Sequence, residues 1–402
     1  MSAGNSGKRT LEELPAAALE GQRALVRVDF NVPIREGRVA DDTRIVASLP
    51  TVRWLRDKGC RIVILSHLGR PNGKVVEELS LRPVGKTLER SLGAPITFID
   101  HPASEQAVKT TRRMLRGEVA LVENTRFIEG EETNDPAVAE MFAALGDLFV
   151  NDAFGTAHRA HASTVGVAQR LAPAVAGFLM AKELKYLGEA LTNPERPFVA
   201  ILGGAKISGK IEVIEALLPR VDTIIIGGAM ACTFFLGMGH EVGGSLVEID
   251  KAGLANELLE LAGSQLVLPR SATVGQALVA GCETREVPSD HIPAGWAMYD
   301  IGRVAAADFS EIISTARTVV WNGPMGVFET PPFDAGTRAV ADALVKATAR
   351  GATTVVGGGD SAAALAGFGL QHAVSHISTG GGASLEFLEG KPLPAVAALN
   401  DA

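Results

Sequence analysis

The chain has 402 residues, 47% of them apolar, and a formal net charge of −8. This length favours at least two domains, and the apolar share is enough for large buried cores. Net acidity argues against a general nucleic-acid binder, and we expect no nucleic-acid partner. The longest uncharged run, 223–239, is interrupted by four glycines and is too short to span a bilayer, so we expect no membrane association.

The three cysteines, Cys60, Cys232 and Cys282, are far apart and form no C-x-x-C pair. Neither a disulfide framework nor a zinc site is therefore indicated. The residues before Lys8 are small and polar, unlike a secretory signal. Together these features predict a cytoplasmic protein.

Apolar runs of strand length alternate with helical segments, which predicts parallel α/β sheets. In the first half we expect strands at 24–30, 61–67, 95–99, 118–124 and 147–154. One predicted helix follows Asp41 and Asp42, which suit an N-cap. Another follows Asp135 and has Pro136 at its first position.

A helical segment at 179–191 ends before a turn flanked by Pro194 and Pro197, where we expect the domain junction. Strands are then expected at 198–204, 223–228, 318–323, 353–359 and 372–379. The Pro-rich apolar end of the chain is expected to pack as an extended tail.

Ligands of open α/β sheets bind at the carboxyl ends of the strands. In the first half these ends carry arginine or histidine at five successive places, which suits a small, multiply charged anion. The residues at these ends are Arg27, Asp29, Asn31, Arg44, His67, Arg70, Arg126, His158, Arg159 and His161. The alternative is that each arginine pairs with a surface carboxylate. A metal at His158 and His161 is disfavoured because Arg159 between them would repel a cation.

The strand ends of the second half carry glycines instead, in LGGAK, IIGGAM, WNGPMG, VVGGGDSA and STGGGAS. Glycine lets backbone N–H groups approach phosphates, and a glycine turn that opens a helix adds the helix dipole. Each could be a structural turn alone, but together they suggest a nucleotide.

Two motifs in this half are misleading. The sequence 357–362 fits G-x-G-x-x-A, yet no acidic residue occurs from 363 to 385, where a dinucleotide's ribose ligand would be expected. The sequence GGAKISGK, 203–210, fits G-x-x-x-x-G-K, but Ile211 stands where a P-loop needs a magnesium-binding hydroxyl.

The ordered motifs RVDFNVP, DDTRI, SHLGRP, ENTRF, NDAFGTAHRAHAST, LGGAKISGK, WNGPMGVFE, GGGDSAAA and STGGGASLEFLEGKPLP resemble phosphoglycerate kinase, from about Arg23 to Leu399. The resemblance implies an α/β fold of two similar-sized lobes. Each would be a doubly wound, mostly parallel sheet flanked by helices, and a hinge helix would join them. The expected parts are a phosphoglycerate-binding domain at 1–180, a linking helix and hinge at 181–197 and a nucleotide-binding domain at 198–385. A tail at 386–402 would pack on the first domain.

The implied reaction is reversible phosphoryl transfer from 1,3-bisphosphoglycerate to ADP, giving 3-phosphoglycerate and ATP, with Mg²⁺ as cofactor. By position, the catalytic residues would be Arg44, Lys206, Lys210 and Gly381. The substrate would be bound by Arg27, Asp29, Phe30, Asn31, Arg44, His67, Leu68, Gly69, Arg70, Arg126 and Arg159. The nucleotide would be bound by Lys206, Lys210, Met298, Pro324, Glu329, Gly358, Gly359, Asp360 and Ser361, with Asp360 as the metal ligand.

The resemblance also implies a monomer whose lobes close by a hinge around both substrates. Gly209, Met298 and Arg303 depart from the family pattern of Asp, Gly and Pro at these positions. If residue 209 were helical, glycine would weaken the helix start by about 1 kcal/mol. The remaining alternative is a non-catalytic protein that binds a nucleotide or phosphometabolite.

Overall fold

The structure of the protein is a computed structural model that describes residues 7–402. The chain divides into two compact units, one made of the residues up to Lys185 together with Lys391–Ala402, the other of Tyr186–Gly390. Within residues 7–402 no helix is both long enough and apolar enough to cross a membrane.

The first unit is built on a six-stranded parallel sheet and a small hairpin. Its strands are β1 (Arg23–Arg27), β2 (Ile34–Arg35), β3 (Arg38–Val39), β4 (Arg61–Leu65), β5 (Ile96–Ile99), β6 (Val119–Val122), β7 (Leu148–Asn151) and β8 (Ala174–Ala176). Its helices are α1 (Thr43–Asp57), α2 (Arg82–Leu92), α3 (Glu105–Arg113), α4 (Pro136–Ala143) and the first part of α5 (Phe178–Thr192). The sheet order is β5-β6-β4-β1-β7-β8, and β2 pairs with β3.

Short 3-10 turns and one π-helical turn connect these elements. In the first unit they cover Leu11–Glu13, Ala16–Ala18, Glu77–Leu79, Thr125–Phe127, Phe154–Thr156 and the π-helical Ala162–Gly166. In the second unit they cover Ile249–Lys251 and Gly263–Gln265. Two of them, Thr125–Phe127 and Phe154–Thr156, follow strand ends and so lie where a ligand would bind.

The second unit repeats the parallel arrangement and adds an antiparallel sheet. Its strands are β9 (Phe198–Leu202), β10 (Thr223–Ile226), β11 (Glu241–Val242), β12 (Leu266–Val267), β13 (Ser271–Gly275), β14 (Thr284–Pro288), β15 (His291–Ile292), β16 (Ala297–Ile301), β17 (Thr318–Asn322), β18 (Thr353–Gly357) and β19 (His376–Ile377). Its helices are α6 (Ile211–Leu217), α7 (Met230–Gly237), α8 (Ala252–Ala262), α9 (Arg303–Thr315), α10 (Ala335–Ala349), α11 (Gly359–Gly367) and α12 (Gly382–Leu388). The parallel sheet has the order β12-β10-β9-β17-β18-β19, and the antiparallel one β14-β13-β16.

The predicted fold class, two α/β lobes with parallel sheets, is confirmed. The central strands β1, β9 and β17 are buried along their whole length. Helices on both faces of a parallel sheet favour strands with an apolar centre, and 24–26, 198–202 and 319–321 are such runs, which is why these strands could be recognised. The antiparallel sheet was not predicted, because β14 is mostly exposed and has no apolar alternation.

Several predicted strands are too long at their carboxyl ends. The runs 24–30, 61–67 and 147–154 are strands only over Arg23–Arg27, Arg61–Leu65 and Leu148–Asn151. The predicted strand 372–379 is reduced to His376–Ile377. The residues that follow the first three strands leave the sheet as loops, and these loops carry most of the predicted site.

The helix predicted at the domain junction runs over Phe178–Thr192, so the boundary between the units, at Lys185 and Tyr186, falls inside it. At the end of the chain, residues 386–390 belong to the second unit and residues 391–402 to the first. This last segment includes a short helix, Pro394–Ala397. Its Asn400 hydrogen-bonds Ala174 of β8 through both its backbone N–H and its side chain.

Candidate active site

Four neighbouring strands of the first unit bring the predicted anion-binding residues to one sheet edge. The order β6-β4-β1-β7 places side by side the ends that lead to Arg126, His67, Arg27 and Arg159. Because all four strands are parallel, their carboxyl ends lie at the same edge. Four of the five separate motifs of the first half therefore converge at this edge, and contacts of Arg44 bring in the fifth.

Arg44, in the first turn of α1, is held by the loop that follows β1. Its Nη1 donates to Asp29 Oδ2 at 2.8 Å and to the Asn31 carbonyl oxygen at 3.4 Å, while 35% of the side chain stays exposed. The Asn31 amide oxygen accepts from Gly69 N at 3.0 Å, which ties this loop to the one after β4. Arg44 is thus oriented and still accessible to a ligand.

Arg126, Arg159 and Arg70 differ in burial and in how many bonds they make to other residues of the protein. Arg126 is buried, with Nη1 donating to the Gly69 carbonyl at 2.7 Å and Nε 3.2 Å from a Glu132 carboxylate oxygen. Arg159 is half-buried and donates from Nε to His158 Nε2 at 3.1 Å. Arg70 is exposed. The three guanidinium groups offer an anion both fixed and adaptable donors.

Arg27 lies beneath this surface. It is fully buried, and its guanidinium donates to Ser163 Oγ at 2.9 Å and to the Val28 carbonyl, with Nη2 3.3 Å from His67 Nδ1. Ser163 in turn donates to the buried carboxylate of Glu131. The guanidinium predicted to bind substrate is therefore occupied by internal partners, and it supports His67 from below.

Phe30 and Leu68, also predicted as substrate-binding, are buried too. The Phe30 N–H donates to Ser66 Oγ at 2.8 Å, and the Leu68 N–H donates to Asn124 Oδ1 at 3.2 Å. Their side chains belong to the core cluster of the first unit. These two residues shape the loops rather than present donors.

The positive charge of this edge comes from arginine, because the histidines are held neutral. Burial, with Arg27 and Arg126 nearby, lowers the pKa of His67 well below its usual value. The same causes lower the pKa of His161 to about 3. Burial and then Arg159 lower the pKa of His158. At neutral pH the three imidazoles act as hydrogen-bonding groups.

In the second unit, Lys210 is the most strongly constrained predicted residue. Its Nζ donates to the Asn322 carbonyl at 3.1 Å and to Asn322 Oδ1 at 2.9 Å, at the end of β17. Burial lowers the Lys210 pKa from 10.5 to about 8, and the carboxylate of Asp360 opposes this shift. The ammonium group is therefore poorly solvated and suited to an anionic partner.

Asn322 was missed by the sequence analysis, although WNG was singled out as a strand end. Its Nδ2 is buried and has no hydrogen-bond partner within residues 7–402. A Cβ placed on Gly357 or Gly358 would lie 3.3 Å from this nitrogen. A buried amide N–H group that has no partner beside a glycine turn is costly without a ligand, so it marks this turn as a candidate binding surface. Only its position at a strand end could have identified it.

The glycine turn that follows β18 opens α11. Gly358 has a φ of +87°, which favours glycine, and the helix begins at Gly359. Asp360 is exposed in the first turn of the helix. Ser361 is fully buried, and its Oγ accepts from Gly323 N at 2.7 Å, so it joins two loops.

Position 203 has no room for a side chain, which explains why it is glycine. A Cβ there would lie 2.1 Å from the carbonyl oxygen of Pro324. The backbones cross here because Gly203 N donates to the Asn322 carbonyl, and Gly204 N to that of Pro324, both at 2.9 Å. Pro324 is buried in this crossing.

The other predicted nucleotide residues are more dispersed. Lys206 and Glu329 are exposed. The Met298 side chain is buried, with its sulfur 3.6 Å from Cys232 Sγ. Gly381 has a φ of +50° and immediately precedes α12. Residue 209 is not helical, since α6 begins at Ile211, so the condition under which Gly209 would weaken a helix start is not met.

The residues present fit a magnesium ion that arrives with a nucleotide. Within residues 7–402 no group of three or more His, Cys, Asp or Glu side chains is arranged to hold a metal alone. Mg²⁺ bound to a nucleotide needs only one or two carboxylates, because phosphates and water complete its shell. Asp360 supplies one exposed carboxylate at the glycine turn.

An α/β protein with an arginine cluster on one unit and a lysine and glycine turn on the other has the features of a phosphoryl-transferring kinase. A family model described as phosphoglycerate kinase matches residues 14–391. Proteins named phosphoglycerate kinase from Thermosipho africanus and Herpetosiphon aurantiacus are each 53% identical to this chain. These alignments cover 95% and 98% of this chain and 96% and 99% of the relatives.

Solved structures of the same name agree. That of Coxiella burnetii phosphoglycerate kinase matches with a TM-score of 0.88 at 40% identity, and that of Pyrococcus horikoshii with 0.85 at 32%. Each covers 97% of this chain and 98% of the solved one. The chain belongs to the phosphoglycerate kinase family.

Proposed function

We propose that the chain catalyses reversible phosphoryl transfer from 1,3-bisphosphoglycerate to ADP, giving 3-phosphoglycerate and ATP. Family membership over nearly the whole chain supports this activity. The observation that carries the proposal is that the two units bear different kinds of anion-binding group. The first unit gathers arginines at one sheet edge, and the second holds a desolvated lysine beside a glycine turn.

We assign the phosphoglycerate to the first unit. Arg44, Arg70, Arg126 and Arg159 would bind its phosphate and carboxylate groups, since guanidinium donors match both anions. Asp29 and Asn31 orient Arg44. Because Arg27 is buried, we propose that it positions His67 instead of contacting the substrate.

We assign the nucleotide to the second unit. Lys206 and Lys210 would neutralise charge on its phosphates, and Asn322 would present its unpaired N–H group to them. Backbone N–H groups around Gly358 and Gly359 would contribute further donors. Gly381 would face the transferring group, and Glu329, Met298 and Pro324 would line the rest of the nucleotide site.

The chemistry needs no general base. The attacking atom is an ADP phosphate oxygen in one direction and an ionised carboxylate in the other, so no proton has to be removed. The contribution of the residues is in-line positioning and neutralisation of the transferred group. Asp360 would hold Mg²⁺, which when bound supplies further charge neutralisation on the phosphates.

We further propose that the chain acts as a cytoplasmic monomer and that its units close to bring Arg44 towards Lys206. Closure would exclude water, which otherwise would hydrolyse the acyl phosphate. Small-angle scattering tests this idea: a smaller radius of gyration is expected with 3-phosphoglycerate and a non-hydrolysable MgATP analogue together than with either alone. An unchanged radius would count against closure.

The activity itself is tested by a coupled assay with 3-phosphoglycerate and MgATP. Turnover that depends on both substrates is expected. A folded protein that binds both substrates without turnover would instead favour the non-catalytic binding protein considered from the sequence. Omission of either substrate serves as the control.

A further inference from the structure

The segment 205–210, here called the lysine loop, carries the two lysines assigned to the nucleotide. Lys206 stands near its start and Lys210 at its end. Between them, Ile207 is buried, and its carbonyl accepts from Lys210 N at 2.8 Å, which closes a turn. Ser208 and Gly209 are exposed, and a Cβ on Gly209 would touch nothing within 4 Å. The outer side of the turn therefore has little packing to hold it.

A carboxylate from another part of the second unit holds that outer side. Glu248 accepts from Ser208 N at 3.0 Å with Oε2 and from Ser208 Oγ at 2.6 Å with Oε1. Burial acts to raise the pKa of the Glu248 carboxyl, but the Ser208 hydroxyl and N–H and, after them, the Ile207 N–H outweigh it and lower that pKa. The Glu248 backbone is fixed in turn, because its N–H donates at 3.1 Å to the buried Thr233 Oγ1 in α7.

This arrangement has the chemistry of an anion-binding turn whose anion is part of the protein. Successive backbone N–H groups with a hydroxyl form a concavity of the kind that binds phosphate in other proteins. Here Glu248 fills it, so those donors serve the protein's own carboxylate. Charge-assisted hydrogen bonds are about twice as strong as neutral ones, so Glu248 restrains the outer side of the loop, while Lys210 anchors its end to Asn322.

We propose that Glu248 is a positioning residue for phosphoryl transfer, holding the lysine loop so that Lys206 and Lys210 address the nucleotide phosphates together. The proposal rests on the function proposed above. Catalysis by positioning is sensitive to small displacements, so a loop released from Glu248 loses turnover even though both lysines remain.

The test compares Glu248→Ala and Glu248→Gln with Asp250→Ala as a matched control. Asp250 lies two residues away, is 78% exposed and pairs only with its neighbour Lys251 among the described ion pairs, so its loss changes the net charge equally. For Glu248→Ala we expect kcat to fall at least about tenfold while the KM for 3-phosphoglycerate stays within about twofold. Glu248→Gln keeps one acceptor and should fall between Glu248→Ala and the wild type. Asp250→Ala should match the wild type.

Thermal unfolding and circular dichroism of each variant accompany the kinetics. A loss of kcat in Glu248→Ala with partial recovery in Glu248→Gln, at unchanged thermal midpoints, supports the positioning role. Equal kcat in the wild type and Glu248→Ala overturns it. If Glu248→Ala fails to fold, Ser208→Ala replaces it, because this variant removes one hydrogen bond to the carboxylate. Unchanged kcat in both Ser208→Ala and Glu248→Gln would then overturn the positioning role. An inactive wild type would refute the proposed function, a result distinct from an active wild type matched by its variants.

Discussion

Replacing Lys210 with methionine should abolish turnover and yet stabilise the nucleotide-free protein at neutral pH. The substitution keeps a long flexible side chain and removes the ammonium group. That group is charged at pH 7 but poorly solvated, since burial lowers its pKa from 10.5 to about 8. The wild type therefore bears an electrostatic cost that the variant does not.

The size of the effect follows from the pKa shift and the lost hydrogen bonds. A shift from 10.5 to about 8 corresponds to about 3 kcal/mol of destabilisation when the lysine is charged in both states. The variant also loses the two bonds from Nζ to Asn322, worth about 2 kcal/mol together. At pH 7 the variant should be more stable by about 1 kcal/mol.

The advantage should reverse at alkaline pH. Because the folded-state pKa lies below the unfolded value, the unfolded chain binds more protons between about pH 8 and 10.5, and wild-type stability rises relative to the variant across that window. The two free energies of unfolding should cross near about pH 9, and by about pH 10 the variant should be the less stable.

Urea unfolding at about pH 7, 8, 9 and 10 measures this difference directly. Lys206→Met is the matched control: it removes an exposed lysine of the same loop, should lower activity, and shows how much of any change in stability comes from the loss of a lysine charge alone. A constant difference between the wild type and Lys210→Met across this range would refute the reasoning, as would a variant that is less stable at every pH.

Three further substitutions test other parts of the site. Arg44→Ala should lower kcat at least about 100-fold with circular dichroism unchanged, because the side chain is partly exposed and its ion pair is to Asp29; near wild-type turnover would exclude the assigned role. Gly203→Ala should destabilise the protein by more than about 3 kcal/mol in urea unfolding, since its Cβ would lie 2.1 Å from the Pro324 carbonyl; a soluble variant of normal stability would contradict this geometry. Gly209→Ala should raise stability by about 0.5–1 kcal/mol, because its Cβ meets nothing and the unfolded chain loses freedom; a lower thermal midpoint would argue otherwise.

The parallel strands and the anion-binding edge could be predicted from residue types and order alone. The buried strand β9 is a continuous apolar run and β17 is apolar over 319–321, and in parallel sheets the carboxyl ends of the strands share an edge. That rule was enough to group His67, Arg126 and Arg159 before any contact was known. The antiparallel sheet escaped prediction because the exposed β14 lacks such a run.

The sequence could not show how deeply each of the site's side chains is buried. In the sequence Arg27, Arg70 and Arg126 all stand at or just after strand ends and cannot be told apart. In the structure Arg27 and Arg126 are buried and Arg70 is exposed. Burial depends on which strand lies next to which, and a one-dimensional pattern does not contain that order. The same limit hid Asn322, whose Nδ2 has no hydrogen-bond partner within residues 7–402 and lies near Gly357, at the end of β18, and Gly358, just after it.

Glu248 illustrates a second limit. It lies 40 residues beyond Ser208, in a stretch with no recognisable motif, and its importance comes only from a contact between distant loops. The resemblance of 203–210 to a P-loop therefore had two flaws. Ile211 was visible in the sequence, but the occupation of the turn by a protein carboxylate was not.

The first unit is discontinuous in sequence, because residues 391–402 return to it after the whole second unit. Asn400 completes the hydrogen bonding of Ala174, and Lys8 binds Asp401 at 2.7 Å. A ribosome that makes the chain from its amino end has thus finished the second unit before the first has its last segment. The first unit, although most of it is synthesised first, therefore lacks residues 391–402 until after the second unit has been made.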